Sequence, residues 1–120
     1  MKNKLCIGVP YYGAQEAEWW VPFSANLGLL ANDYEVTIIT SGTMATDHNR
    51  NKIVAKFLDT DAEWLFWVDA DTIIPSGAVQ RLMAMGKTLA SGLYYGKNEP
   101  HPPIAYIKAN GAFVPLNKTR

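Results

Sequence analysis

Glu63-Trp64-Leu65-Phe66-Trp67-Val68-Asp69-Ala70-Asp71-Thr72-Ile73-Ile74-Pro75 is the stretch on which the reading of this chain turns. The apolar residues from Trp64 to Val68 run without a polar break into two aspartates. A short run of this kind reads as a strand buried on both faces, as in a parallel sheet covered by helices. Two carboxylates at the end of such a strand raise each other's pKa unless a cation neutralises them. In an extended segment, residues two apart point the same way. Asp69 and Asp71 would then converge on one ion or ligand. Hard oxygen donors favour Mn2+ or Mg2+ over zinc. Such an ion bridges phosphate oxygens and stabilises a phosphate leaving group. The plainer reading is that Asp69 opens a turn and Asp71 caps the next helix.

The flanking segments place this strand in a larger pattern. Upstream, residues 47–58 read as a helix capped by Thr46 or Asp47, with Ile53, Val54, Phe57 and Leu58 as its apolar face. Arg50 stands one turn before Ile53 and Val54, on or near that face. It needs an anion there, or a pairing with Asp47 three residues back. Before this helix, residues 34–40 form a β-branched strand that exits through Ser41-Gly42-Thr43. Residues 15–31 carry Trp19, Trp20, Phe23, Leu27 and Leu30 at helical spacing, with Pro22 inside as an expected kink. The first strand is 5–9, closed by Pro10 and followed by Tyr11-Tyr12-Gly13.

Downstream, residues 76–85 read as a helix opened by Pro75 and stopped by Gly86. Residues 88–93 read as a fourth strand. Short strands at 104–108 and 112–116 suggest a hairpin around Asn110-Gly111. Strands alternating with helices mean an α/β fold: a Rossmann-like, mostly parallel sheet with helices on both faces and a short β tail. Ligands of such sheets bind beyond the carboxyl ends of the strands. That directs attention to 10–13, 41–43, 69–71 and 92–96.

Composition narrows the function classes. At 120 residues the chain is read as a single domain, and 48% hydrophobic against 18% charged residues means a globular one. The 11 basic and 11 acidic residues cancel, which argues against attachment to nucleic acid or membrane by bulk charge. Cys6 is the sole cysteine, so there is no intrachain disulfide. The first apolar run is cut at Pro10, too early for a signal peptide or an integral membrane segment. A cytoplasmic location is expected. His48 and His101 read as surface residues. The four tryptophans read as core.

Two other phosphate chemistries use related motifs. Gly92 to Asn98 falls one residue short of a G-x-x-x-x-G-K-[ST] loop and has Asn98 where Ser or Thr would hold magnesium. Val68 to Thr72 also resembles the D-x-D-x-T signature of haloacid-dehalogenase-like phosphatases. There Asp69 would be the nucleophile and Asp71 the general acid/base. That family needs further carboxylates on a later strand, and Glu99 is the only acidic residue after Asp71.

Four stretches together resemble nucleotide-sugar glycosyltransferases of the A-type fold, close to family 2. Ile7 to Tyr12 is similar to the family's first strand and its P-x-Y exit. Asn49-Arg50-Asn51-Lys52-Ile53 is similar to its A-R-N helix start. Glu63 to Pro75 is similar to the segment around its D-x-D, and Leu89 to Tyr95 to the strand that follows.

The resemblance implies a hexosyltransferase-type enzyme that moves a sugar from a UDP- or GDP-linked donor to an acceptor hydroxyl. Pro10, Tyr11 and Tyr12 would line the nucleotide pocket, and Arg50 would meet the diphosphate. Asp69 would contact the ribose or sugar side. Asp71, with Asp69, would hold the Mn2+ or Mg2+ that bridges the phosphates. Ser41-Gly42-Thr43 stands where many relatives have an acidic residue that reads the base. Complete family domains continue well beyond a position like Arg120, so the acceptor part is expected to be missing. Glu99 and His101 are the late candidates for the catalytic base. A binding-only remnant of the fold is the alternative within the family.

Overall fold

The computed structural model describes residues 2–11, 17–42, 46–93 and 106–115. The chain divides into two compact units, Met1–Ala84 and Met85–Arg120. The first unit contains β1 (Asn3–Pro10), α1 (Ala17–Leu30), β2 (Tyr34–Ser41), α2 (Thr46–Leu58), β3 (Trp64–Trp67) and α3 (Ala78–Ala84). Its sheet has the order β2-β1-β3 and is parallel throughout. The expected α/β class with a parallel sheet is therefore what the chain forms.

The strand order explains where the helices lie. The chain leaves β1 for one neighbour through α1, then crosses back past β1 through α2 to reach β3. Crossovers of one hand that run in opposite directions put their helices on opposite faces. The core divides accordingly. Leu5, Ile7 and Val9 of β1 pack with Trp19, Phe23 and Leu30 of α1, with Val68, and with Val79 of α3. Cys6 points the other way and packs with Ile39 of β2 and Ile53 of α2. This is the period-two alternation of a strand buried on both sides.

Gly8 belongs to the α2 side. A Cβ there would come within 2.8 Å of the Ile53 side chain, so the missing side chain is what lets α2 lie close on β1. At α1, the helix runs through Pro22 without ending. The Pro22 carbonyl accepts a hydrogen bond from the Asn26 side-chain amide at 3.0 Å.

Several boundaries differ from expectation: β1 runs from Asn3 to Pro10, and α3 only from Ala78 to Ala84. β3 ends at Trp67, although the Val68 amide still donates to the Gly8 carbonyl at 3.0 Å. Residues 88–93, expected as a fourth strand, form none. Apart from Thr88, that stretch consists of Leu, Ala, Ser and Gly. It lacks the β-branched and aromatic residues that favour a pleated strand. Leu89 is 90% exposed.

In the second unit, β4 (Tyr106–Ala109) and β5 (Ala112–Pro115) pair antiparallel. Asn110 and Gly111 have φ of 52° and 82°. Positive φ at both central residues is the requirement of a type I′ hairpin turn, so the expected hairpin forms where Asn-Gly placed it. Among the described residues no helix is long and apolar enough to cross a membrane.

Candidate functional site at the carboxyl ends of the strands

The register of the sheet decides which residues share its carboxyl edge. Pro10 pairs with Ser41, and Gly8 pairs with Trp67. Continued by two residues, the second register brings Asp69 level with Pro10. Ser41, Pro10 and Asp69 therefore lie across one end of the sheet, with Tyr11 and Gly42 just beyond. The crevice outside this end, between β1 and β3, is where a 2-1-3 strand order opens a ligand site.

Arg50 reaches this edge from α2. Ile53, one turn later, is fully buried, which pins the helix to β1 and β2. Asn49 is fully buried too, and its Oδ1 accepts a hydrogen bond from Ser41 Oγ at 3.0 Å. That bond fixes the first turn of α2 against the exit of β2. The guanidinium of Arg50 then lies over Trp67, 5.0 Å from the ring centroid. Its Nη2 donates to Asp69 Oδ1 at 2.6 Å. The anion required by an arginine on an apolar helix face is thus Asp69, nineteen positions on in sequence, and not Asp47. A cation over an indole face and against a carboxylate is held by both contacts.

The two aspartates are not arranged as an extended strand would arrange them. The Thr72 amide donates to the Asp69 carbonyl at 3.1 Å, which closes a turn with Ala70 and Asp71 at its centre. The expected convergence through strand alternation is corrected by this turn. Its physical reason is that the chain must leave the sheet here and double back to α3. Asp69 is half-buried and engaged by Arg50, whereas Asp71 is exposed. The same Asp69 carbonyl also accepts from Trp19 Nε1 at 3.0 Å.

Tyr11 sits on the opposite lip. Its amide donates to the Ser41 carbonyl at 3.1 Å, carrying the β1–β2 ladder one step further. A Cβ at Gly42 would lie 2.6 Å from the Tyr11 carbonyl oxygen and 2.7 Å from its ring. Only glycine allows the tyrosine to fold down over this position. Pro10 is buried, so it shapes the edge of the site and Tyr11 supplies the reachable surface. Tyr12, Glu99 and His101 lie outside the described residues, as do Thr43 and the 94–96 stretch.

The donor set discriminates among metals. Among the described residues, no three His, Cys, Asp or Glu side chains come together as a ligand group. The described residues therefore offer no protein cage of the kind that structural zinc or fully liganded calcium takes. Magnesium and manganese fit, because they use one or two carboxylates and take their other ligands from phosphates and water. Asp69, half-buried, and Asp71, exposed, are the two carboxylates of this edge.

Reasoning from sequence missed several residues that build the site. Trp67 read as core and carries Arg50. Trp19 is buried core, as expected, and also holds the turn through its indole N–H. Asn26 is 3% exposed and lies on the same helical stripe as Trp19, Phe23 and Leu30. A polar residue on that apolar stripe was the available signal. Gly42 stands in the 41–43 exit and Asn49 in the Asn49-Arg50-Asn51 stretch that the sequence singled out, but neither carried a signal of its own. The chain matches no protein-family model, no curated protein and no solved structure.

Proposed function

We propose that the carboxyl-edge crevice of the first unit binds the diphosphate of a nucleotide sugar. On this reading the chain carries the donor site of a metal-dependent glycosyltransferase with a Rossmann-like, A-type sheet. The sugar passes from a UDP- or GDP-linked donor to an acceptor hydroxyl. The observation that carries the reading is Arg50. It is held over Trp67 and against Asp69 at the carboxyl edge of the sheet, the end at which parallel α/β sheets bind ligands.

Each residue has a role that its geometry allows. Arg50 supplies a planar, permanently charged fork, which suits phosphate oxygens. Asp69, oriented by Arg50, accepts hydrogen bonds from the ribose or sugar hydroxyls. Tyr11, packed down on Gly42, offers its face to the base. Asp71 provides the carboxylate for manganese or magnesium. When bound, the cation neutralises negative charge on the departing nucleoside diphosphate. Glu99 and His101 stay as the sequence's candidates for the base that takes the acceptor proton.

The phosphatase alternative is less well supported. Its nucleophile would be Asp69, and a carboxylate paired with a guanidinium at 2.6 Å is a weakened nucleophile. Its magnesium site would also need carboxylates that do not gather among the described residues.

The test is a donor assay. The chain is incubated with manganese and a panel of UDP- and GDP-linked sugars, and released nucleoside diphosphate is measured. Release from one nucleotide class, abolished in Asp71→Ala, supports the transferase. Binding without release leaves a binding-only domain. The absence of both binding and release overturns the reading.

A further inference from the structure

We infer that Trp19 and Asn26, both on α1, are positioning residues that clamp the two ends of the segment carrying Asp69 and Asp71. The inference rests on the functional reading for its purpose, but the clamp itself is a property of the free protein. Neither side chain touches the proposed ligand. Both act through the backbone of residues 69–77.

Trp19 holds the first end. It is 4% exposed and its indole is fixed by neighbours. Phe23 stacks on it with ring centroids 4.5 Å apart and an interplanar angle of 18°. Trp20 meets it edge-on at 5.0 Å. So oriented, Nε1 donates to the Asp69 carbonyl at 3.0 Å. That carbonyl is also the acceptor that closes the turn from the Thr72 amide. One buried N–H thus sets the direction of the peptide from which the Asp71 turn starts.

Asn26 holds the second end. Its Oδ1 accepts from the Gly77 amide at 3.0 Å, and its Nδ2 donates to the Pro22 carbonyl at 3.0 Å and lies 3.5 Å from the Ile74 carbonyl. Gly77 has φ of +75°, a conformation open to glycine, and it leads directly into α3. Between the clamps, Ala70 and Ile74 pack against the core shared by α1 and β1. A buried asparagine satisfying several backbone groups at once is a device for fixing a loop, since an unmet buried polar group is costly. The structure thus assigns α1 two tasks: covering one face of the sheet and holding the carboxylate turn in place.

The test is site-resolved hydrogen exchange in the free protein, on wild type, Trp19→Phe and Asn26→Leu. Trp19→Phe keeps an aromatic ring and removes the N–H. Exchange at Thr72 should rise about fivefold relative to Ile7 of the central strand, the size of one neutral hydrogen bond. Asn26→Leu should raise exchange at Gly77 by at least as much, again relative to Ile7. If Trp19→Phe fails to fold, the shape-matched benzothienylalanine at position 19 removes the same proton. A purely structural role would speed Ile7, Thr72 and Gly77 together, and that outcome overturns the inference.

Affinity for manganese with UDP or GDP should fall by about the same fivefold in Trp19→Phe. Unchanged affinity would show that the clamp does not serve the site. Wild type that binds no nucleotide would overturn the functional reading, and the exchange data would still decide the clamp.

Discussion

Replacing Arg50 by methionine separates a ligand-binding arginine from a structural one. The variant keeps most of the unbranched stem and removes the guanidinium. In the free protein it loses one ion pair whose side chains are 37% and 35% exposed. Pairs that open to solvent are worth about 0–1 kcal/mol after screening. It also loses the contact over Trp67, worth about 0.5–1 kcal/mol at a site of this exposure. The stability loss should be about 1 kcal/mol, or roughly 4–8 °C in Tm for a domain of this size. Binding should suffer more. A charge-assisted hydrogen bond to phosphate is worth about 1.5–3 kcal/mol. Wild type must relax the Arg50–Asp69 pair to make it, at a cost of about 0.5 kcal/mol. The net loss is about 1–2.5 kcal/mol, or roughly fivefold to seventyfold in Kd. Calorimetric titration of UDP and GDP in manganese gives the affinity, and thermal denaturation gives the stability. Arg50→Lys should fall between the two, because it keeps charge but loses the fork and the stacking. Affinity within twofold of wild type, with a Tm lowered by more than about 10 °C, would refute the reasoning and make the arginine structural.

Other substitutions probe the frame of the site. Gly42→Ala puts a Cβ 2.6 Å from a backbone oxygen of Tyr11. It should displace the tyrosine, destabilise by about 1–3 kcal/mol and weaken nucleotide binding; chemical denaturation and titration calorimetry check the last two. Gly8→Ala meets Ile53 at 2.8 Å and should destabilise by a similar ~1–3 kcal/mol. In an Ile53→Ala background, which lacks the clashing Cγ2, Gly8→Ala should cost less than in wild type by chemical denaturation. The surface pair Lys4–Asp61, at 2.6 Å, governs a weak pH dependence. The hydrogen bond that Lys4 donates to Asp61 holds the carboxyl below its usual range and the Lys4 ammonium above its own. The Asp61 contribution is therefore present above the usual carboxylate range and lost as pH falls through the folded value. The Lys4 contribution is present below the usual lysine range and lost as pH rises past its folded value. The stability gap between wild type and Asp61→Asn should be flat near neutrality, close in acid, and shrink with salt.

The fold was legible because its apolar pattern is decisive. The run at Leu5 to Val9 is buried on both faces of the sheet, as its pattern requires, whereas Trp64 to Trp67, on the outer strand of the order β2-β1-β3, are only half-buried. Asn110-Gly111 located the hairpin for an equally local reason, the need for positive φ at both residues. Residues 88–93 misled because they are apolar enough for a strand but lack the side chains that favour one. At the site, Arg50 was legible as a charge out of place. Its partner was not, because the proximity of Asp69 follows from how α2 and β3 pack on β1. Of the plainer reading, the turn at Asp69 forms, but Asp71 caps no helix, since α3 starts only at Ala78. The roles of Trp19 and Asn26 were hidden because a buried donor's acceptor is a backbone carbonyl about fifty positions away. No local pattern encodes such a pair.

The central claim is that this carboxyl edge binds a divalent cation together with a nucleoside diphosphate through Asp71. Thermal denaturation of wild type and Asp71→Ala with manganese, UDP, GDP and each metal–nucleotide pair tests it most directly. A ligand at about 100 times its Kd adds roughly 2.7 kcal/mol to the folded state. The account expects a stabilisation that needs manganese and one nucleotide together and is lost in Asp71→Ala. Equal melting under every condition, or a shift that Asp71→Ala retains in full, would contradict it.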